Sequence, residues 1–197
     1  MIQELFFATP IYIFDIGSKD FNKYLEENIL KWSKENEGVN RTNIKGWHST
    51  TDMHKRKEYK PLVEDLYKAQ SKIYIEENYE SEPYLGNMWA NINPPGAYNR
   101  PHMHPNSLWS GVYYVKTSPN CGHLKIEDPK ITSLMSMPNR KKDNNTPKYS
   151  WREIHYEPVE GRLIMFPSWL NHCVDPNESN DIRISISFNF LQKCLLT

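Results

Sequence analysis

The chain has 197 residues, with 24 Lys and Arg against 24 Asp and Glu, and 38% of its residues are hydrophobic. That length suits one domain with a substantial core, and the balanced charge excludes the broad basic field that nucleic acid or an anionic membrane surface would need. Three cysteines (Cys121, Cys173 and Cys194), odd in number and without a CxxC pair, argue against a disulfide framework and for a reducing, cytoplasmic setting.

The segment from Met1 to Phe14 carries Glu4 and no basic stretch ahead of an apolar run, so it reads as a first strand rather than a signal peptide. Leu5 to Phe7 and Ile11 to Phe14 are the strand-like pieces, broken by Pro10. No apolar run approaches the roughly 20 residues that span a bilayer. Ser18 is a candidate N-cap, and Phe21, Leu25, Ile29 and Trp32 follow at helical spacing, with a stop expected near Gly38. Residues 46–51 read as a turn and a short extended piece. A second helix is expected over 60–79, with Leu62, Leu66, Ala69 and Ile73 on one face. Both helices are amphipathic and need a larger partner to cover them.

From Pro83 onward the pattern changes to short strands punctuated by Pro and Gly. We read them at about 84–93, 107–116, 122–127, 150–157, 162–166, 171–175 and 182–191, which indicates a sandwich or barrel. Residues 128–149 lack periodicity and are expected to form a flexible loop, a lid or a binding segment. Their basic residues (Lys130, Arg140, Lys141, Lys142 and Lys148) read first as a solvated run and second as an attractor for an anionic or peptide substrate. The organisation that follows is one domain over 1–197, with a support region at 1–82 and a strand-rich core at 83–192.

The candidate chemistry lies in that core. Pro101-His102-Met103-His104 places two imidazoles on one face of an extended segment, because strand side chains alternate. His172, on a distant strand, is positioned in sequence to complete one face of a metal ion. Two His and one carboxylate mark non-haem Fe(II) oxygenases; here a third His stands where the carboxylate would be. Neutral imidazole also suits Zn, Cu and Ni, so the trio alone does not name the metal. Arg183 sits among Ile184, Ile186 and Phe188, and arginine is rarely buried without a partner. It meets either a structural carboxylate or an anionic ligand. His48, His54, His123 and His155 show no convergence in sequence and read as surface or structural. Cys173 reads as a small hydrophobe facing away from His172, and Trp89, Trp109 and Trp169 as core, or as walls of an apolar pocket.

Five residues separate Gly96 from His102 and Gly161 from Pro167, and four separate Pro167 from His172. These half-patterns resemble the metal motifs of the cupin superfamily, although that family's glutamate after His-x-His is absent and Trp169 replaces a glycine. The fuller run is more specific: Asn93-Pro94-Pro95-Gly96 leading to His102-x-His104, then Ser110-Gly111-Val112-Tyr113-Tyr114, Gly122-His123-Leu124, Gly161-Arg162-Leu163 to Pro167, His172, and Arg183-Ile184-Ser185-Ile186-Ser187-Phe188-Asn189. Over residues 84–191 this order resembles the Fe(II)- and 2-oxoglutarate-dependent oxygenases. The resemblance is to a bacterial and phage branch with such signatures, and more broadly to prolyl hydroxylases.

The resemblance implies a mainly β (α+β) fold, a double-stranded β-helix or jelly-roll barrel with two flanking N-terminal helices. It implies Fe(II) on His102, His104 and His172. It further implies 2-oxoglutarate as co-substrate, its far carboxylate clamped by Arg183, which follows His172 by eleven residues. Ser185 and Tyr114 are implied as further donors to that carboxylate, and Asn93 as another cofactor-facing group. With O2, the implied reaction couples oxidative decarboxylation to hydroxylation of a peptidyl or small-molecule substrate. A homodimer is left open. If His104 points away, the open position is that of oxygenase-like halogenases. Two other readings stand beside this one. A three-His cupin dioxygenase would need no oxoacid, which Arg183-Ile184-Ser185 argues against. A non-catalytic jelly-roll module would hold a structural metal, yet such sites are usually closed and rich in Cys.

Overall fold

The computed structural model describes residues 1–192 apart from 131, 133, 134, 136, 137, 140 and 142–145. Cys194, Arg140, Lys142 and parts of the 128–149 loop therefore lie outside the described residues. Helix α1 (Lys19–Glu35) begins where the Ser18 hydroxyl accepts the Phe21 N–H at 3.2 Å. Helix α2 (Lys60–Glu76) carries Pro61 in its first turn, where a missing N–H costs no helical bond. It stops short of the expected Tyr79 because Asn78 turns to φ +51. No helix among the described residues is long and apolar enough to cross a membrane.

The strands form two antiparallel sheets. The larger has six, in the order β1 (Tyr12–Asp15), β9 (Arg162–Pro167), β6 (Trp109–Lys116), β11 (Arg183–Leu191), β4 (Tyr84–Asn93) and β3 (Trp47–His48). The smaller has five: β2 (Asn43–Ile44), β5 (Tyr98–His102), β10 (His172–Val174), β7 (Leu124–Glu127) and β8 (Glu153–Tyr156). They face each other as a jelly roll without closing into a barrel, and the two helices flank the larger sheet, as expected. The strand expected at Leu5 to Phe7 is absent. Those side chains are exposed and Phe7 adopts φ +60, incompatible with a ladder.

Alternation along the central strands decides which face does what. Ile184, Ile186, Phe188 and Phe190 of β11, with Met88, Ala90 and Ile92 of β4, join Leu25, Ile29, Leu62, Leu66 and Ile73 of the helices in the main core. The opposite face of the same strands carries Arg183, Ser185, Ser187, Asn189, Asn87 and Asn91, and it looks toward the smaller sheet. A second cluster (Tyr114, Ile164, Phe166, Leu124, Ile126 and Leu170) joins the sheets to each other. The polar faces of β4 and β11 are thus interior, and the helices cover their apolar ones.

A buried polar bond crosses the interface between α1 and the sheet: the Tyr113 hydroxyl donates to Asn22 Oδ1. Asn22→Ala strands that hydroxyl and is expected to lower stability by about 1–3 kcal/mol. Urea unfolding measures it, and an unchanged midpoint would show that the bond contributes nothing.

Candidate active site

Three short stretches bring the imidazoles together. His102 ends β5 and His172 opens β10, and the two are directly paired across the ladder, with ring centroids 4.3 Å apart. His104 lies just beyond β5, held by its backbone N–H donating to the Ser168 carbonyl at 3.0 Å. Its ring is 4.9 Å from that of His102 and 5.1 Å from that of His172. One ligand nitrogen from each of the three lies within 4.8 Å of the others, and no Asp or Glu joins the group among the described residues.

The second nitrogen of two rings is already engaged. His102 Nδ1 lies 2.7 Å from the Arg100 carbonyl and His172 Nδ1 lies 2.9 Å from the Leu170 carbonyl. A carbonyl only accepts, so Nδ1 carries the proton and Nε2 keeps its lone pair for a metal. This backbone support is what orients metal-bound imidazoles generally. Burial holds His102 below the usual imidazole range. Burial, and then the neighbouring His102, brings His104 down to about 4 and His172 down to about 3. The donor set is neutral and fits a borderline divalent ion such as Fe(II).

The same rings open into a cavity of about 510 Å³ between the sheets, and Arg183, Ser185 and Tyr114 also line it. Arg183 is 1% exposed. Its Nη1 donates to the carbonyls of Cys121 and Gly122, the latter at 3.0 Å. Gly122 stands at φ +92, and a side chain there would collide with the Asp175 carbonyl and crowd the guanidinium. Among the described residues no carboxylate lies within 4 Å of Arg183. A buried guanidinium without a fixed anion fits a ligand carboxylate such as that of 2-oxoglutarate. Ser185 is the register partner of Tyr114 and shares the Arg183 face. Burial pushes the Tyr114 phenol up, so it remains a hydroxyl donor.

The family model described as "Putative 2OG-Fe(II) oxygenase" matches residues 87–189, more than half of the chain. The chain belongs to this 2OG-Fe(II) oxygenase family. Fe(II) and 2-oxoglutarate are therefore its cofactor pair, and the protein is an oxidoreductase. Among solved structures, a prolyl-4-hydroxylase from Pseudomonas putida matches with a TM-score of 0.68 at 16% identity, over 94% of each chain. The non-haem, alpha ketoglutarate-dependent epimerase SnoN from nogalamycin biosynthesis matches at 0.70 and 9% identity, over 93% of this chain and 79% of that one. A viral collagen prolyl hydroxylase from Paramecium Bursaria Chlorella virus-1 matches at 0.60 and 14% identity, over 91% and 94%. At such identities the likeness shows a shared fold. No curated protein matches the sequence.

The remaining site expectations divide. Asn93 shares the face of Asn87 and Asn91 by alternation, but it lies beside Gly46 and does not line the cavity. His48, expected to be surface or structural, is buried on the cavity wall of this oxygenase and stacks on Trp89 at 5.4 Å. Trp89 in turn touches His104, with centroids 5.7 Å apart, while Trp169 is exposed. The sequence reading also missed the ladder in which Asn189 donates to Asn87 and Ser110 donates to Asn189, each at 2.7 Å. Its signal was present: polar residues at every second position of β11 from Arg183 to Asn189, and Asn87, Asn91 and Asn93 at the same parity of β4 with Trp89 among them.

The imidazole shifts fix a pH dependence. Rings neutral in the fold favour it above about pH 6.5, the unfolded value, and that contribution is lost as pH falls toward the folded values. The metal-free chain is expected to lose thermal stability from about pH 6.5 downward, with a flatter slope in His104→Gln and His172→Gln. Melting profiles in chelator across that range check this; parallel slopes in all three proteins would contradict it.

Proposed function

We propose that this oxygenase is a hydroxylase. In this reading His102, His104 and His172 hold Fe(II), while Arg183, Ser185 and the Tyr114 hydroxyl receive the far carboxylate of 2-oxoglutarate. When bound, the iron and oxoacid supply oxidation of an unactivated C–H by O2, with succinate and CO2 as co-products. The protein's part is to present three unprotonated nitrogens on one side, to neutralise the oxoacid with a buried guanidinium, and to exclude bulk water. The observation that carries the reading is that the imidazole trio and a buried arginine, without a carboxylate partner among the described residues, open into one cavity.

The lining also bears on the substrate. Arg41 and Arg183 are its charged residues, and no acid appears among those described. Most ladder amides satisfy one another, but Asn91 Oδ1 is buried with no partner among the described residues. A neutral substrate offering an N–H or O–H donor, peptidyl or small-molecule, suits such a wall. The substituted third His sets this site apart from the two-His, one-carboxylate pattern, and the assay below includes it.

Anaerobic titration with Fe(II) and 2-oxoglutarate, followed by the visible charge-transfer band of their chelate, tests the assignment. His102→Ala and His172→Ala are expected to abolish the band. Retained band and affinity in His104→Ala would remove that ring from the ligand set. Arg183→Ala is expected to weaken 2-oxoglutarate by at least about 30-fold while iron stays bound. Unchanged oxoacid affinity in that variant would overturn the clamp, and no band in the wild type would favour an oxoacid-independent dioxygenase.

A further inference from the structure

The outer face of the smaller sheet holds another group of metal-binding side chains, away from the cavity. His123 precedes β7, His155 lies on β8 and Asp175 follows β10, and one ligand atom from each lies within 4.8 Å of the others. Leu124 and Val174 line the cavity, so alternation turns His123 and Asp175 to the opposite side. His155 is the register partner of Lys125, which faces outward by the same rule. The Asp175 backbone N–H donates to the His123 carbonyl at 3.0 Å and ties two of the three positions together. The side chains of His123, His155 and Asp175 are 44%, 43% and 35% exposed, so an ion has a path from solvent.

The spacing is too wide for hydrogen bonds and close to that of metal ligands. Asp175 Oδ2 lies 3.7 Å from His155 Nδ1 and 4.0 Å from His123 Nδ1. Bonds of about 2.1 Å to a tetrahedral ion hold neighbouring ligands roughly 3.4 Å apart. The far nitrogen of His155, Nε2, is 3.0 Å from Glu153 Oε1, and Glu153 also takes Lys125 Nζ at 2.5 Å. A ring that donates its Nε2 proton to Glu153 presents the Nδ1 lone pair to Asp175, so two acceptors face each other. A cation between them removes that conflict. An imidazole oriented by an outer carboxylate is the common support of a bound metal.

We propose that His123, His155 and Asp175 bind one borderline divalent transition-metal ion, such as Zn(II) or Co(II). The ion clips the edge strand β8 to β10 across β7. Two imidazoles select against Mg(II) and Ca(II), which take oxygen ligands. The assignment does not rest on how the cavity works, since its residues lie on the other face of the sheet.

Equilibrium dialysis of the untagged full-length chain against Zn(II), with circular dichroism to confirm folding, tests it. The measured quantity is the difference between proteins, whatever the cavity itself takes up. His155→Ala and Asp175→Asn are each expected to bind one Zn(II) fewer per chain than wild type, and to lose part of the rise in Tm that Zn(II) gives. Glu153→Gln is expected to weaken this ion by about 10–100-fold. Equal stoichiometry in wild type and both ligand variants would overturn the site. So would loss of the ion in Cys173→Ser with retention in His155→Ala, which would assign binding to the nearby free thiol. Displacement by equimolar Mg(II) would overturn the class of ion.

Discussion

The arrangement depends on one inversion: β4 and β11 of the larger sheet turn their apolar side outward to α1 and α2, and their polar side inward. In most antiparallel sheets the polar face meets solvent. Here the helices supply the hydrophobic burial, through Leu25, Ile29, Leu62, Leu66 and Ile73 against the even-numbered residues of β11. That leaves the space between the sheets free to hold polar groups, and Arg183 is tolerated there at 1% exposure. Without the helical layer the same strands would expose Ile184, Ile186, Phe188 and Phe190 as one apolar stripe. The N-terminal region is therefore a condition for the site, although it contributes none of the trio His102, His104 and His172.

The electrostatics of the interior follow from what it lacks. Three neutral nitrogens and a guanidinium converge, and no acid lines the cavity among the described residues. Relative to a two-His, one-carboxylate centre, the site is one unit more positive with the same metal bound. Anionic ligands gain from that field, since charges interact strongly at low local dielectric. The Cys121 and Gly122 carbonyls hold Arg183 in place without neutralising it. The guanidinium is fixed in direction and still short of a counter-ion, which is the condition for binding a carboxylate tightly and in one orientation.

Much of this was legible in the residues because periodicity survives burial. Strong helical spacing gave α1 and α2, and alternation gave every strand of five or more residues except β5. In β5, Arg100 and Pro101 broke the pattern. The two-residue strand β2 carries too little period to read, whereas β3 falls in the turn and short extended piece read at 46–51. His102 and His172 sit on strands whose alternation gives their direction, whereas His104 lies beyond β5 and is placed by its backbone bond to Ser168. His48 was not legible, because its place on the wall comes from the antiparallel pairing of β3 with β4, which puts it opposite Asn91. Asn93 had the right parity but lies too far along β4, and parity says nothing about where a cavity ends. His123, His155 and Asp175 come from three separate segments, so their meeting is a product of sheet order.

That sheet order also joins the two histidine groups. Strand β10 lies between β5, which carries His102, and β7, and alternation sends His172 to one face and Asp175 to the other. An ion on the outer group fastens β8 and the end of β10 to the start of β7, which narrows the motion open to the strand that carries His172. Ordering at one site lowers the entropic cost of ordering at the other. Because linkage is reciprocal for binding, an ion inside the cavity would tighten the outer group by the same factor. The smaller sheet has strands of three to five residues other than β2, and β10 is held in it by its pairings with β5 and β7.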